Sequence, residues 1–341
     1  MGNKYDEKYD IRLARYDEID EIMSFIDTYW KKDHILARDR KFFEYEMVVD
    51  GQVNFIIAKD RNTNKIAGMH GFIMASKNIE KLDIWGSIWK VLPGSMGFLG
   101  VEIVRRAGEL TGTRNFLSTG GNPDTTVSIN RKVLKLHSIG KMQHFYCISE
   151  REEYRIAKIN HYVAFKKNEE YNAHIKLLSD YGTVNDHFDF ASNEDKTPYK
   201  DGWYIKHRYF DHPIYKYDVY GIKSDENSTI IDALIVCREQ EYNGSKAYRI
   251  VDYVGKIELF SGLSSFLAEK LNDYEYIDLY CSGIDDRFIR QAGMTELTEN
   301  DSNIIPNYFA PYVAENIDIW VGTPIGKSTF FKADGDQDRP V

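Results

Sequence analysis

The stretch "KVLPGSMGFLGVEIVRR", Lys90 to Arg106, sets Gly94, Gly97 and Gly100 three residues apart. The run before it, "DIWGSIWKVL" (83–92), alternates as a strand does, and the run after it (98–110) has apolar residues at helical spacing. Glycines between a strand and a helix suit a main chain that a ligand must approach closely. Bare N–H groups at a helix N-terminus attract an anion, the helix dipole favours it, and side chains would block it. The alternative is a tight strand-to-helix turn with close packing.

Working outward, the first half opens with a strand, "IRLARYD" (11–17), and an amphipathic helix, "EIDEIMSFIDTYW". A second helical segment (40–48) precedes a hairpin of "QVNFIIAKD" (52–60) and "IAGMHGFIMA" (66–75) about the turn "RNTNK". The 83–92 strand, the glycine loop and its helix come next. A strand "NFLSTGG" (115–121), a short helix (123–137) and a closing strand "KMQHFYCIS" (141–149) complete the half.

The second half repeats the order. A helix over 201–213 leads to strands at 215–224, 229–242 and 246–256, an amphipathic helix at 261–274, a strand at 275–283 and a short helix at 285–294. A repeat of this length points to duplication. The charged, irregular segment between the halves reads as a linker. This places domains at 1–150 and 183–341 with a linker at 151–182, each domain being a mixed, mostly antiparallel sheet flanked by helices (an α/β, α+β layered class).

Composition narrows the function. The chain has 341 residues and a formal net charge of -9, which disfavours a general nucleic-acid binder. Cys147, Cys237 and Cys281 lie far apart in apolar runs without metal spacing, as buried free thiols do. The polar start "MGNKYDEKYD" has no apolar leader core, and no run approaches the length of a membrane span. The expectation is a reduced, cytoplasmic protein with no bound metal; the sequence leaves open whether it forms a homo-oligomer. The ending "FFKADGDQDRP" (330–340) spaces Asp334, Asp336 and Asp338 two apart, without the glycine and distal glutamate of a calcium loop. It reads as a solvated tail, or as a segment folded over a cleft.

The element order and the glycine loop resemble the GNAT (GCN5-related N-acetyltransferase) superfamily, so the chain reads as two tandem GNAT-like halves. In that superfamily this loop binds the pyrophosphate of coenzyme A through the pattern Gln/Arg-x-x-Gly-x-Gly/Ala. Here Gly97 matches the first glycine, Leu99 replaces the second, and Gly94 stands where the basic residue belongs. The resemblance implies a cradle of Gly94, Ser95, Met96, Gly97 and Gly100, with Trp89 and Val91 on the preceding strand and Asn122 beside the pantetheine arm. Asn122 equally suits a helix cap. The second half carries Glu258 in its matching loop, "VGKIELFSG", so a single coenzyme site is expected, in the first half.

Acyl transfer to an amine needs a neutral amine and a polarised thioester. His70 or Asp83 could take the amine proton, directly or through water, and Ser118 ends the strand beside the expected thioester. By period two, Asp83, Trp85, Ser87, Trp89 and Val91 share one face. Half-buried or surface roles are open for His70 and Asp83. In the second half, Lys206, Arg208, Tyr215, Tyr217 and Tyr220 mix cations with rings, as a nucleotide site or as packing.

The tandem halves, "HPIYKYDVYGI", "KMQHFYCIS" and "DGDQDRP" resemble more narrowly the N-acyltransferases of bacterial surface-polysaccharide and lipopolysaccharide biosynthesis. That resemblance implies transfer of an acyl or 3-hydroxyacyl group from its CoA thioester to a nucleotide-linked, dTDP-type amino-deoxy sugar, with the second half forming the acceptor pocket. The alternatives are an aminoacyl or peptidyl transferase acting on a cell-wall precursor, and a non-catalytic pair that binds nucleotide sugars.

Overall fold

The computed structural model describes residues 4–341, so the first three residues of the polar start lie outside the described residues. The chain forms two units, one of 1–139 with 320–326 and 335–341, the other of 140–319 with 327–334.

In the first unit β1 (Tyr9–Ala14), β2 (Gln52–Asp60), β3 (Ile66–Met74), β4 (Asp83–Val91) and β5 (Asn115–Thr119) stand side by side in that order. β1 to β4 are antiparallel and β4 with β5 is parallel. The period-two alternation of β2 divides the core. Phe55 and Ile57 pack with Ile22, Phe43 and Met47 of the helices Ile19–Phe25 and Arg40–Met47. Ile56 and Ala58 face Leu99 and Ile103 of α1 (Leu99–Arg105) on the other side.

β4 carries the distortion that shapes this unit. His70 pairs with Trp89 and Phe72 with Gly86, so Ser87 and Ile88 together oppose Gly71 alone, a β-bulge. The bulge reverses the faces beyond it. Ile84 packs in the α1 cluster, whereas Ile88 packs in the opposite one. The single face expected for Asp83, Trp85, Ser87, Trp89 and Val91 is therefore broken: Trp89 and Val91 turn towards α1. The β4–β5 ladder also ends early. It joins Asp83 to Asn115, Ile84 to Phe116 and Trp85 to Leu117, and then the strands part.

The second unit repeats this plan with β6 (Gln143–Ile148), β7 (His174–Leu177), β8 (Asp218–Lys223), β9 (Ala233–Tyr242), β10 (Ser245–Gly255) and β11 (Tyr276–Ser282), in the spatial order β7-β8-β9-β10-β11-β6. β10 and β11 are parallel over Ala247–Ile250, and the β9–β10 register shifts at Val236 and Cys237.

Two elements depart from the sequence reading. The strand expected to close the first half, β6, pairs antiparallel with β11 in the second sheet. The place beside β5 is taken by Trp320–Thr323, which pairs with Ser118 and Thr119. The expected linker also supplies β7, which pairs with β8. A strand edge requires a partner, and alternation along one segment does not say which edge that segment will cover.

The parting of β10 and β11 is filled by the unit's own chain. Phe330 and Phe331 pair with Ser282 and Cys281, and Ala333 N–H donates to Val251 O at 2.8 Å. Lys200 Nζ lies 2.5 Å from Asp252 and 2.6 Å from Asp334, all three being buried. The Asp-rich ending is thus not solvated, Asp334 and Asp338 both being buried. All three cysteines are free and buried, as expected, and burial pushes their thiols up.

Removing Lys200 would strand two buried carboxylates. Lys200→Met is expected to cost about 3–5 kcal/mol at neutral pH, read as a fall in the urea midpoint of the full chain.

Candidate functional site

The bulge and the parting of β4 from β5 open a cavity of about 720 Å³ in the first unit. Gly86, Ser87 and Trp89 of β4 line it, as do Phe116, Ser118 and Thr119 of β5, Val104 and Arg105 of α1, and the Asn122–Asn130 segment. His70 reaches it from β3, and Asp336 and Gln337 from the C-terminal strap. Of the residues singled out from sequence, the structure brings His70, Trp89, Ser118 and Asn122 together here.

His70 is packed tightly. A Cβ on Gly86 would meet its Cε1 at 2.7 Å, and the rings of Phe116 and Trp89 lie 5.1 and 5.4 Å away. Its Nδ1 is 2.8 Å from Gly71 O. A carbonyl only accepts, so Nδ1 carries the proton and Nε2 holds the lone pair. Burial lowers the pKa of His70 to about 4, so the ring is neutral at physiological pH.

Asp83 is placed otherwise than expected. It is fully buried, with Arg114 Nη2 2.7 Å from Oδ2 and Asn115 Nδ2 2.8 Å from Oδ1, and it does not line the cavity. It anchors the short ladder between β4 and β5, which explains a carboxylate at a strand start without chemistry. Ser118 Oγ accepts from Asn130 Nδ2 at 3.0 Å, which leaves its hydroxyl proton to donate. Asn122 Oδ1 accepts from Asp124 N–H at 2.9 Å and Thr125 N–H at 3.2 Å, so it caps the helical turn that follows.

The three glycines of the loop have different tasks. Gly100 is a packing position, since a Cβ there would come within 2.9 Å of the Trp89 indole nitrogen. Gly94 has φ +81°, a turn conformation that glycine adopts without strain. Gly97 is open, with no atom of the described residues within 4 Å of a Cβ built on it. The loop is tethered from beneath: Tyr5 OH donates to Gly97 O at 2.8 Å, and Met96 N–H donates to Tyr9 OH at 3.0 Å. Ser95 N–H is spent on Leu92 O. The expected cradle therefore loses the N–H groups of Ser95 and Met96. Those of Gly97, Phe98, Gly100 and Val101 have no partner among the described residues. Phe98 stands at φ 62° in the left-handed region and is exposed, a strained position for a non-glycine residue. Sequence reading missed it because nothing in the residue type announces that backbone. Gly94 to Gly97 and Val91 do not line the cavity.

In the second unit the residues singled out from sequence stand against other protein groups. Lys206 is paired with Asp211 on the surface. Arg208 is buried, with Nη2 3.3 Å from Ala333 O. Tyr215 stacks on His212 and under Arg238, and Tyr217 packs edge-on to Tyr209 and His212. Tyr220 is buried, with its OH 2.9 Å from that of Tyr248. None of the five lines the 430 Å³ cavity bordered by Lys200, Tyr253, Glu258 and Phe331. There Gly255 is shut in, a Cβ lying 2.5 Å from Asp232 O.

No family model matches the chain, and no curated protein matches it. Solved structures do. A GCN5-related N-acetyltransferase from Anabaena variabilis is similar over 92% of this chain and 72% of its own, with TM-score 0.53 and 11% identity. A putative acetyltransferase from Pyrococcus horikoshii covers 94% of this chain and 92% of its own at TM-score 0.45 and 11% identity. The N-myristoyltransferase of Saccharomyces cerevisiae, solved with bound myristoyl-CoA, covers 96% and 80% at TM-score 0.43 and 10% identity. The likeness to the first is one of fold, and it bears out the GNAT-like architecture of the chain.

His70 also makes a stability prediction. In the unfolded chain its ring takes up a proton near pH 6.5, in the folded chain only near 4. A depressed value gives a contribution that is whole above 6.5 and is lost as pH falls towards 4, about 3 kcal/mol in all. Denaturant titrations across that window should show a shallower decline for His70→Asn than for the parent.

Proposed function

We propose that the protein is an acyl-CoA-dependent N-acyltransferase, and that its acceptor is the amino group of a nucleotide-linked amino-deoxy sugar. The observation that carries the first part is the open parting of β4 and β5, which leaves a 720 Å³ cavity beside strand backbone without a ladder partner. The loop leaving β4 adds four unspent N–H groups around an open glycine, which suits a diphosphate. The matching parting in the second unit is filled by Phe330–Asp334, which supports a single donor site.

In this reading the thioester lies along β4 with its carbonyl towards that backbone. His70, neutral and with Nε2 unprotonated, takes the amine proton directly or through a water. Ser118 donates its hydroxyl proton towards the departing sulfur. The nucleotide-sugar acceptor rests on the resemblance of the whole chain. The packed rings of the second unit lend it no further support.

A thermal-shift panel of coenzyme A, acyl and 3-hydroxyacyl thioesters, and dTDP-amino sugars tests both parts. Stabilisation by thioesters and by dTDP-amino sugars is expected. A response to nucleotide sugars alone removes the donor, and a response to thioesters alone removes the acceptor. Gly97 has open space and no positive φ, so Gly97→Glu should fold normally by circular dichroism. It should weaken coenzyme A binding on the order of 100-fold, read by calorimetry, because a carboxylate then faces the diphosphate. Unchanged affinity would place the anion elsewhere.

A further inference from the structure

The C-terminal strap carries a charge into the cavity that the reaction as outlined leaves unused. Gly335 sits at φ +60°, and a Cβ there would meet Thr119 Oγ1 at 2.4 Å and Trp85 Cβ at 3.2 Å. Only glycine lets the chain turn this closely over β4 and β5, and the turn delivers Asp336 to the cavity wall. Asp336 Oδ2 accepts from Ser87 Oγ at 3.0 Å and from Arg339 Nη1 at 3.1 Å. Ser87, in turn, accepts from Arg339 Nη2 at 2.8 Å, and it stands at the β4 bulge. Arg339 Nε is 2.6 Å from Glu46 Oε2, and both of these side chains are buried.

One guanidinium therefore lies between two carboxylates, and Asp336 brings a negative charge to the cavity wall. The neighbouring imidazoles do not neutralise it. His34 is held to about 4 by burial and by Arg339, and His70 to about 4 by burial, so both are uncharged at neutral pH. Of the cavity's cations, Arg114 is committed to Asp83, and Arg105 stands on α1. Among the described residues Asp336 Oδ1 accepts only from Gln337 Nε2, at 2.8 Å, so it retains acceptor capacity. Beside it, the Thr119 hydroxyl is buried, lines the same cavity and has no hydrogen-bond partner among the described residues.

We propose that Asp336 is the receiving site for the acceptor's amine in its protonated form, so that the strap selects acceptors that arrive as ammonium ions. This rests on the N-acyltransferase reading above. Primary amines are cations at neutral pH and must lose a proton before they attack. The ammonium docks on Oδ1 with Thr119 as second partner, and it gives one proton to the Asp336 carboxylate. The freed nitrogen lone pair forms the C–N bond to the thioester carbon. The C–S bond then breaks and its electron pair leaves on sulfur, while His70 takes the second nitrogen proton and the sulfur gains its proton from Ser118, which His70 resupplies, ending as the thiol. Ser87 and Arg339 hold the carboxylate in place, so they act as positioning residues.

The test uses the full chain, acetyl-CoA and two small nucleophiles, propylamine (a cation at neutral pH) and hydroxylamine (uncharged there). Loss of a charged contact of this kind is worth on the order of 10-fold or more. Asp336→Asn should therefore lower the ratio of kcat/KM for propylamine to that for hydroxylamine by at least about 10-fold, and Asp336→Glu should restore most of it. Calorimetry with coenzyme A reports whether each variant keeps its donor site. Equal losses for both nucleophiles, or no change in their ratio, overturn the ammonium site alone. If the parent protein binds no coenzyme A and acylates neither nucleophile, the acyltransferase reading fails, and this inference with it.

Discussion

The constraint on which the first unit depends is the three-residue limit of the β4–β5 ladder. Parallel strands usually run together until a loop ends them, but here pairing stops at Trp85 and Leu117 while both strands continue. The bulge at Ser87 and Ile88 accompanies this, because two residues against one bend the strand and turn its later side chains to the other face. Gly71, opposite the bulge, has no room for a side chain: a Cβ would meet the Phe55 ring at 2.8 Å. Gly86, next to the bulge, is closed by His70 in the same way. The small residues in "GMHGF" and "IWGSI" are thus where backbone and rings must come close.

What fills the opening distinguishes the two units. In the second, the parting of β10 and β11 is occupied by Phe330–Asp334 and locked by Lys200 between Asp252 and Asp334. In the first, the strap after Gly335 crosses at the bulge and leaves the space beside Trp89 and Ser118 empty. Two units of one plan can in this way differ in what occupies the strand divergence. A buried cation between two carboxylates suits a permanent closure, because removing any member strands a charge.

Much of the fold was legible. The repeated order of elements, the hairpin at "RNTNK", the glycine loop and the burial of the cysteines all follow from local pattern. His70 was picked from its place on a strand, and Trp89, Ser118 and Asn122 from what the resemblance implies; the four line one cavity. Asp83 was misread because strand position does not reveal that Arg114 and Asn115 are waiting for it. The aromatic segment of the second half was ambiguous for a similar reason, since rings and cations look alike whether they face a ligand or one another.

By itself the sequence determined the periods, the turns and the positions at which only glycine fits, since these depend on neighbours within a few residues. Tertiary structure decided which strand covers which edge: β6 went to the second sheet and Trp320–Thr323 to the first. It also decided that the Asp-rich ending is buried and that Asp336 stands in the cavity of residues some 200–250 positions earlier in the chain. Those outcomes depend on satisfying strand edges and buried charges between segments distant in sequence. No local pattern encodes such a pairing, because each partner's signal is only an unsatisfied group until the other arrives.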